Sequence, residues 1–148
     1  MREILFKAKR IDNGEWVEGA LLDGEKYCLI GQEIKFSPYT ENECKIVGFK
    51  VDRNPICQYT GLCDKNGNKI WENDVCSVSL ILEDRMEKEN CVVRYGRRAE
   101  FFRIELGFNV EWTKTDYLRC DICFWTENRE VVVIGNIFDN PELFGGGE

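Results

Sequence analysis

Gln58–Leu82 reads QYTGLCDKNGNKIWENDVCSVSLIL, and this stretch decides the fold class. Its second half alternates: Cys76, Val78, Leu80 and Leu82 fall on one side of an extended chain, with Ser77 and Ser79 on the other. A period of two is the signature of a half-buried strand. Its first half is a hairpin arm and a turn. Asp64 stands at the first position and Gly67 at the fourth of Asp64-Lys65-Asn66-Gly67, which suits a type I turn with Gly67 free to take positive φ. The rival is a two-residue type I′ turn on Asn66-Gly67. The first register sets Leu62 against Ile70 and the second sets it against Trp71; Asp64 favours the first. A further turn at Glu72-Asn73-Asp74 launches the strand from Val75.

The same reading extends along the chain. Ile4–Lys9, Trp16–Leu22, Lys26–Ile30, Lys45–Val51, Cys91–Tyr95, Phe102–Leu106, Phe108–Trp112 and Glu130–Ile137 are strand candidates. They are rich in β-branched or aromatic residues and bounded by Gly, Asn or Asp. No long stretch repeats apolar residues at helical spacing. Thr115–Trp125 fits a strand through Leu118, Cys120, Ile122 and Phe124, or a helix capped by Thr115; the β-rich surroundings favour the strand. Asn140-Pro141-Glu142-Leu143 reads as an N-cap, a proline at the first helical position and an acid in the first turn. Gly145–Gly147 limits it to about one turn. The fold expected is all-β. A small SH3-like or partly open β-barrel (56–144) carries an additional N-terminal β segment (1–55) and a short C-terminal helical turn, with 145–148 as a tail.

The chain's 148 residues suffice for a core without staples. Apolar residues make up 43% and charged residues 32%, a globular rather than a disordered composition. The net charge of −7 disfavours non-specific grip on nucleic acid or anionic lipid. Histidine is absent, which excludes mechanisms that need an imidazole. Met1–Arg10 carries charges throughout and lacks the apolar core of a signal peptide. No apolar run approaches a membrane span. A cytoplasmic protein with reduced thiols is expected, its eight cysteines acting mostly as small apolar residues.

Three blocks resemble the YopX family of phage and prophage proteins. Gln58-Tyr59-Thr60-Gly61-Leu62, Asp64-Lys65-Asn66-Gly67, Ile70, Glu72, Asp74 and Val75 match that family's QYTGLxDKNGxxIyEgDiV pattern. Arg2-Glu3-Ile4-Leu5-Phe6-Lys7-Ala8-Lys9 is similar to its REIkFRAw, with Lys7 and Lys9 as departures. Val132–Leu143, containing Gly135, Asn136 and Pro141, is similar to its EVIGNIyeNPEL. Asn73 stands where the family often has Gly, and Asn is the residue that best tolerates the left-handed region in its place. The resemblance implies an all-β, partly barrel-like fold in a cytoplasmic protein of phage or prophage origin. It implies no established activity and no catalytic residues.

Other constellations yield to plainer readings. Cys120-Asp121-Ile122-Cys123 has no second pair and no histidine to complete a zinc site, and residues three apart on a strand face opposite ways. Asp64–Asn68 lacks the spacing of a calcium loop. No GxSxG, Walker A or GxGxxG run exists. The expectation is therefore a protein without catalytic residues, metal or cofactor. One charge asymmetry stands out. Arg94–Arg103 (RYGRRAEFFR) holds Arg94, Arg97, Arg98 and Arg103 against one glutamate, interleaved with Tyr95, Phe101 and Phe102. That is the composition of a single-strand stacking site. The plainer reading is a hairpin tip with Gly96-Arg97-Arg98 in solvent, or a contact to acids of a neighbouring copy. The leading functional expectation is a non-enzymatic binding module. It would act through an unidentified protein partner or its own copies, as a homo-oligomer. The alternative is an accessory nucleic-acid-binding protein using Arg94–Arg103.

Overall fold

A computed structural model describes residues 3–81, 85–100, 103–112 and 130–143. Among these described residues, nine strands and one terminal 3-10 turn account for the regular structure. They are β1 (Phe6–Arg10), β2 (Trp16–Asp23), β3 (Cys28–Phe36), β4 (Cys44–Cys63), β5 (Lys69–Trp71), β6 (Asp74–Ile81), β7 (Met86–Glu100), β8 (Arg103–Trp112) and β9 (Val131–Asn136), followed by the turn Pro141–Leu143. The all-β expectation holds, short helical turn included. The alternative readings of Thr115–Trp125, the Cys120/Cys123 pair and the tail 145–148 lie outside the described residues.

The chain divides into two compact units, Met1–Tyr59 and Thr60–Glu148. In the first, β1 pairs antiparallel with β2 on one side and with β4 on the other. Strands β2–β3 and β3–β4 complete a ring of pairings. The ring is irregular. One shift falls between Gly31 and Glu33 of β3, another between Ala8 and Arg10 of β1, where a single residue spans Val51 to Ile56 of β4. Pro55 sits in that second break, where a missing N–H costs no ladder bond. Ala8, Cys28, Ile30 and Val51 fill the interior, with Phe6, Val17, Leu21 and Ile56 packed around them.

In the second unit, the last residues of β4 form a hairpin with β5. The other four strands make an open antiparallel sheet in the order β8-β7-β6-β9. The sequence suggests a barrel-like part at 56–144, but among the described residues the closing ring of pairings is β1–β4, in the segment expected as an addition to it, while β6–β9 form an open sheet; neither is a clean barrel. Ile70, Trp71, Val75, Cys76, Val78, Cys91, Val92, Val93 and Val131 are buried here. The register of β6 with β7 runs from Val75 against Val92 to Ile81 against Met86.

Three strands run well past their sequence-based bounds. β3 continues through Gln32–Phe36, β4 continues from Val51 to Cys63, and β7 starts at Met86 and continues past Tyr95 to Glu100. The extension of β7 past Tyr95 corrects the reading of Gly96-Arg97-Arg98 as a hairpin tip: these residues pair with Gly107, Leu106 and Glu105 inside the ladder, whose last pair is Glu100 with Arg103.

Cys28, Cys57, Cys76 and Cys91 are buried, while Cys44 and Cys63 are exposed. Cys76 faces Cys91 across β6 and β7. Burial, with help from nearby Cys91, Asp74 and Asp64, pushes the Cys76 thiol well above its ordinary pKa, so it stays protonated and packs as an apolar group. The folded state is therefore expected to need neither metal nor disulfide. Thermal melts with EDTA and with a reductant should coincide with the untreated melt, and a sharp fall in midpoint with either would refute this.

Candidate functional site

The residues of the hairpin block converge on one carboxylate. Gly67 N–H donates to Asp64 O at 3.0 Å and Asp64 N–H to Asn68 O at 2.8 Å, with Gly67 at φ +84°. This is the four-residue turn expected from Asp64, in the frame that counts outward to Leu62 against Ile70. Asp64 is buried, and its Oδ1 accepts the backbone N–H groups of Asn66 and Asn68, each at 2.9 Å. Its Oδ2 accepts the Val133 N–H at 3.0 Å and the Asn68 side-chain amide at 3.4 Å. Lys65 N–H adds a bond to Val131 O at 3.0 Å, and Lys65 Nζ lies 3.3 Å from Glu130. The turn is thereby fastened along β9.

The neighbouring motif residues are structural in the same sense. Gln58 sits opposite Phe6, and Tyr59 N–H donates to Leu5 O at 2.9 Å. Thr60 Oγ1 donates to Ile70 O at 2.7 Å and accepts the Leu62 N–H at 3.2 Å, and between them Gly61 takes φ +87°. Asp74 is buried and accepts the Trp71 N–H at 2.8 Å. Asn73 adopts φ +69°, the left-handed geometry expected of it as a substitute for glycine. Its N–H donates to Val93 O, and its own carbonyl accepts the Ile137 N–H.

The C-terminal block folds back on itself. Asn136 is buried, and its Oδ1 accepts the N–H groups of Phe138 and Asp139 at 3.0 and 2.9 Å. Asn140 does not act as the side-chain cap that its position before Pro141 suggests. Its Oδ1 turns back to the Asn136 N–H at 3.4 Å, and only its backbone carbonyl accepts from Leu143. Gly135 makes room for this, since a Cβ there would lie 2.4 Å from Asn140 Oδ1.

The four arginines are not equivalent. Arg94 is half-buried and donates through Nη1 to Asn73 Oδ1 at 2.7 Å. Arg97, Arg98 and Arg103 occupy ladder positions opposite Leu106, Glu105 and Glu100. Adjacent Tyr95 is exposed. Among the described residues, no cluster of three or more His, Cys, Asp or Glu side chains could hold a metal ion, and no helix is long and apolar enough to cross a membrane.

The surface that sequence reasoning missed is the outer end of β3 and β4. Here Ile34 is 57% exposed, Ile46 42%, Phe36 72% and, in the connecting loop, Tyr39 92%. An open cleft of about 290 Å³ lies at this end, lined by Lys35, Phe36, Ser37, Glu43, Cys44 and Lys45. The signal was present as alternation in Gln32-Glu33-Ile34-Lys35-Phe36, followed by a loop rich in Ser, Pro, Thr and Asn. The arrangement suits docking of another polypeptide, by apolar contact and by main-chain pairing at an open strand edge.

Two outcomes follow from the turn. Burial alone would raise the Asp64 pKa, but the backbone N–H groups of Val133, Asn68 and Asn66 outweigh it and hold the carboxyl below its ordinary 3.8. A folded-state pKa below the unfolded one contributes stability above the unfolded value that is lost as pH falls through the folded value. Asp64→Asn should destabilise the protein by about 2 kcal/mol at neutral pH and flatten the loss of stability below about pH 4, as read from denaturant midpoints across pH. Gly67→Ala meets no steric obstacle. Its cost is the backbone conformation alone, about 1 kcal/mol, and an unchanged denaturant midpoint would contradict the assigned φ.

Comparison with known proteins accords with this architecture. The comparison with curated proteins gives no match. Among solved structures, the chain is similar to the crystal structure of protein EF1440 from Enterococcus faecalis. The two share 26% sequence identity over 97% of this chain and 99% of that one, with a TM-score of 0.59. The family model described as YopX protein matches residues 5–145, nearly the whole chain, and the protein therefore belongs to the YopX family.

Proposed function

We propose that this protein is a non-enzymatic cytoplasmic binding module of a phage or prophage, acting through protein–protein contacts that include contacts between its own copies. The observation that carries the reading is the β3–β4 end, where Ile34, Phe36, Ile46 and Tyr39 lie exposed together on two strands and their connecting loop. Scattered apolar residues on a surface need no explanation, but a cluster on a strand pair with an open edge is a docking feature. The lack of histidine supports a non-catalytic role, because the commonest general base is missing. The alternative, nucleic-acid binding through Arg94–Arg103, is weakened by the commitment of Arg94 to Asn73 and by the net charge of −7.

The test compares proteins captured from bacterial host cells by the tagged chain, by a Phe36→Asp/Tyr39→Ser variant and by an Arg97→Ala/Arg98→Ala variant. Circular dichroism confirms that each is folded. A specific protein held by the wild type and the arginine variant, but lost from the Phe36/Tyr39 variant, is the expected result. Capture indifferent to Phe36 and Tyr39 would overturn it. So would micromolar binding of a single-stranded oligonucleotide whose log K falls with log salt at a slope near −3, roughly −0.7 for each of four phosphate contacts.

A further inference from the structure

Beyond Gly31, β3 and β4 form a two-stranded ribbon in which Glu33 faces Val47, Ile34 faces Ile46, Lys35 faces Lys45 and Phe36 faces Cys44. Strand alternation puts Ile34, Phe36, Cys44 and Ile46 on one face and Glu33, Lys35, Lys45 and Val47 on the other. All eight are exposed. β2 accompanies β3 only as far as Gly31, which pairs with Ala20. Among the described residues, the outer edge of β3 from Glu33 to Phe36 therefore carries no strand.

Two features of this edge are unfavourable in a lone chain. An open strand edge bearing apolar side chains is one that soluble proteins ordinarily cover or blunt. Lys35 and Lys45 are like charges directly opposite one another, an arrangement that destabilises a strand pair. Within the chain, Glu33, on the same strand as Lys35, lies 3.8 Å from its Nζ.

We propose that the outer edge of β3 pairs antiparallel with the same edge of a second copy, about a two-fold axis through Ile34. This rests on the reading of the ribbon as a protein-docking surface. In that register Glu33 of each copy faces Lys35 of the other, Ile34 faces Ile34, and Gln32 faces Phe36. Moving the axis to Lys35 would set Lys35 against itself. An axis midway between Ile34 and Lys35 would set Ile34 against Lys35 and Glu33 against Phe36. Charge complementarity selects the first register, and in it Lys35 of each copy, which faces Lys45 within its own ribbon, gains Glu33 of the other. On the opposite face, Ile46 and Ile34 of one copy continue into Ile34 and Ile46 of the other as a single apolar row. The interface is isologous and closes at two copies. Its short span makes the association reversible and concentration-dependent.

The test is sedimentation velocity of the full chain over a range of concentrations, with Glu33→Lys and Lys35→Glu made singly, mixed in equal amounts, and combined in one chain. Both positions are exposed, and circular dichroism verifies that the variants fold. The wild type should show a concentration-dependent dimer. Each single variant should dimerise roughly ten-fold more weakly, because both cross-chain pairs become repulsive. The equimolar mixture and the double swap should restore dimerisation by restoring opposite charges on facing strands. A wild type that stays monomeric throughout its soluble range overturns the pairing, whereas the docking reading is judged separately by the capture of another protein through Phe36 and Tyr39. A dimer unaffected by either single variant, or a mixture that stays as weak as its components, also overturns it.

Discussion

The second unit depends on one buried carboxylate. Asp64 collects four hydrogen bonds, two that shape its own turn and one each that engage the Asn68 side chain and the backbone of β9. Buried carboxylates are tolerated only when donors replace the lost water, and backbone N–H groups do so at fixed cost because the fold already orders them. The same contact also shields an edge. β9 is the last strand of the sheet β8-β7-β6-β9, and Asp64 and Lys65 occupy N–H and C=O groups on its outer side. Among the described residues, this edge is thus blunted by a turn rather than by a further strand.

The first unit handles its strands differently. Its ring of pairings leaves β1, β2 and the inner half of β3 with neighbours on both sides, but the outer halves of β3 and β4 run past the ring. Their residues are exposed on both faces, unlike the core residues Cys28, Ile30 and Val51 of the same two strands. A strand pair without a sheet behind it has no core to bury its apolar side chains in. Ile34 and Phe36 are for this reason surface residues despite their chemistry.

Local turn chemistry was legible because its causes are local. The Asp64–Gly67 geometry follows from side-chain preferences within five residues, and the left-handed Asn73 from the same kind of argument. The strand pattern of β6 was legible from the alternation of Cys76 and Val78 with Ser77 and Ser79, but not its depth: Val75 and Ser79 on the second face are buried as well. The outer half of β3 was harder to read. One extra residue, Gln32, enters the ladder between Gly31 and Glu33, so counting from buried Ile30 no longer tells which way Ile34 faces. Gly96-Arg97-Arg98 misled for a different reason: glycine next to charge resembles a turn, yet cross-strand pairing with Glu105, Leu106 and Gly107 carries the ladder through. Asn140 was read as a cap from its place before Pro141, but its side chain bonds to Asn136, a contact made available by Gly135. None of the long-range partners of Asp64 could be inferred from spacing alone.

The separation of Asp64 from Val133, 69 positions along the chain, also orders events in time. The hairpin of β4 and β5 can form as soon as its own residues are synthesised, since its turn bonds are local. Its carboxylate, however, stays short of one backbone donor until β9 has left the ribosome and paired with β6. Closure of the unit is therefore a late, high-contact-order step, and a nascent chain halted before Val131 would present a formed turn beside a β6 edge still waiting for its strand.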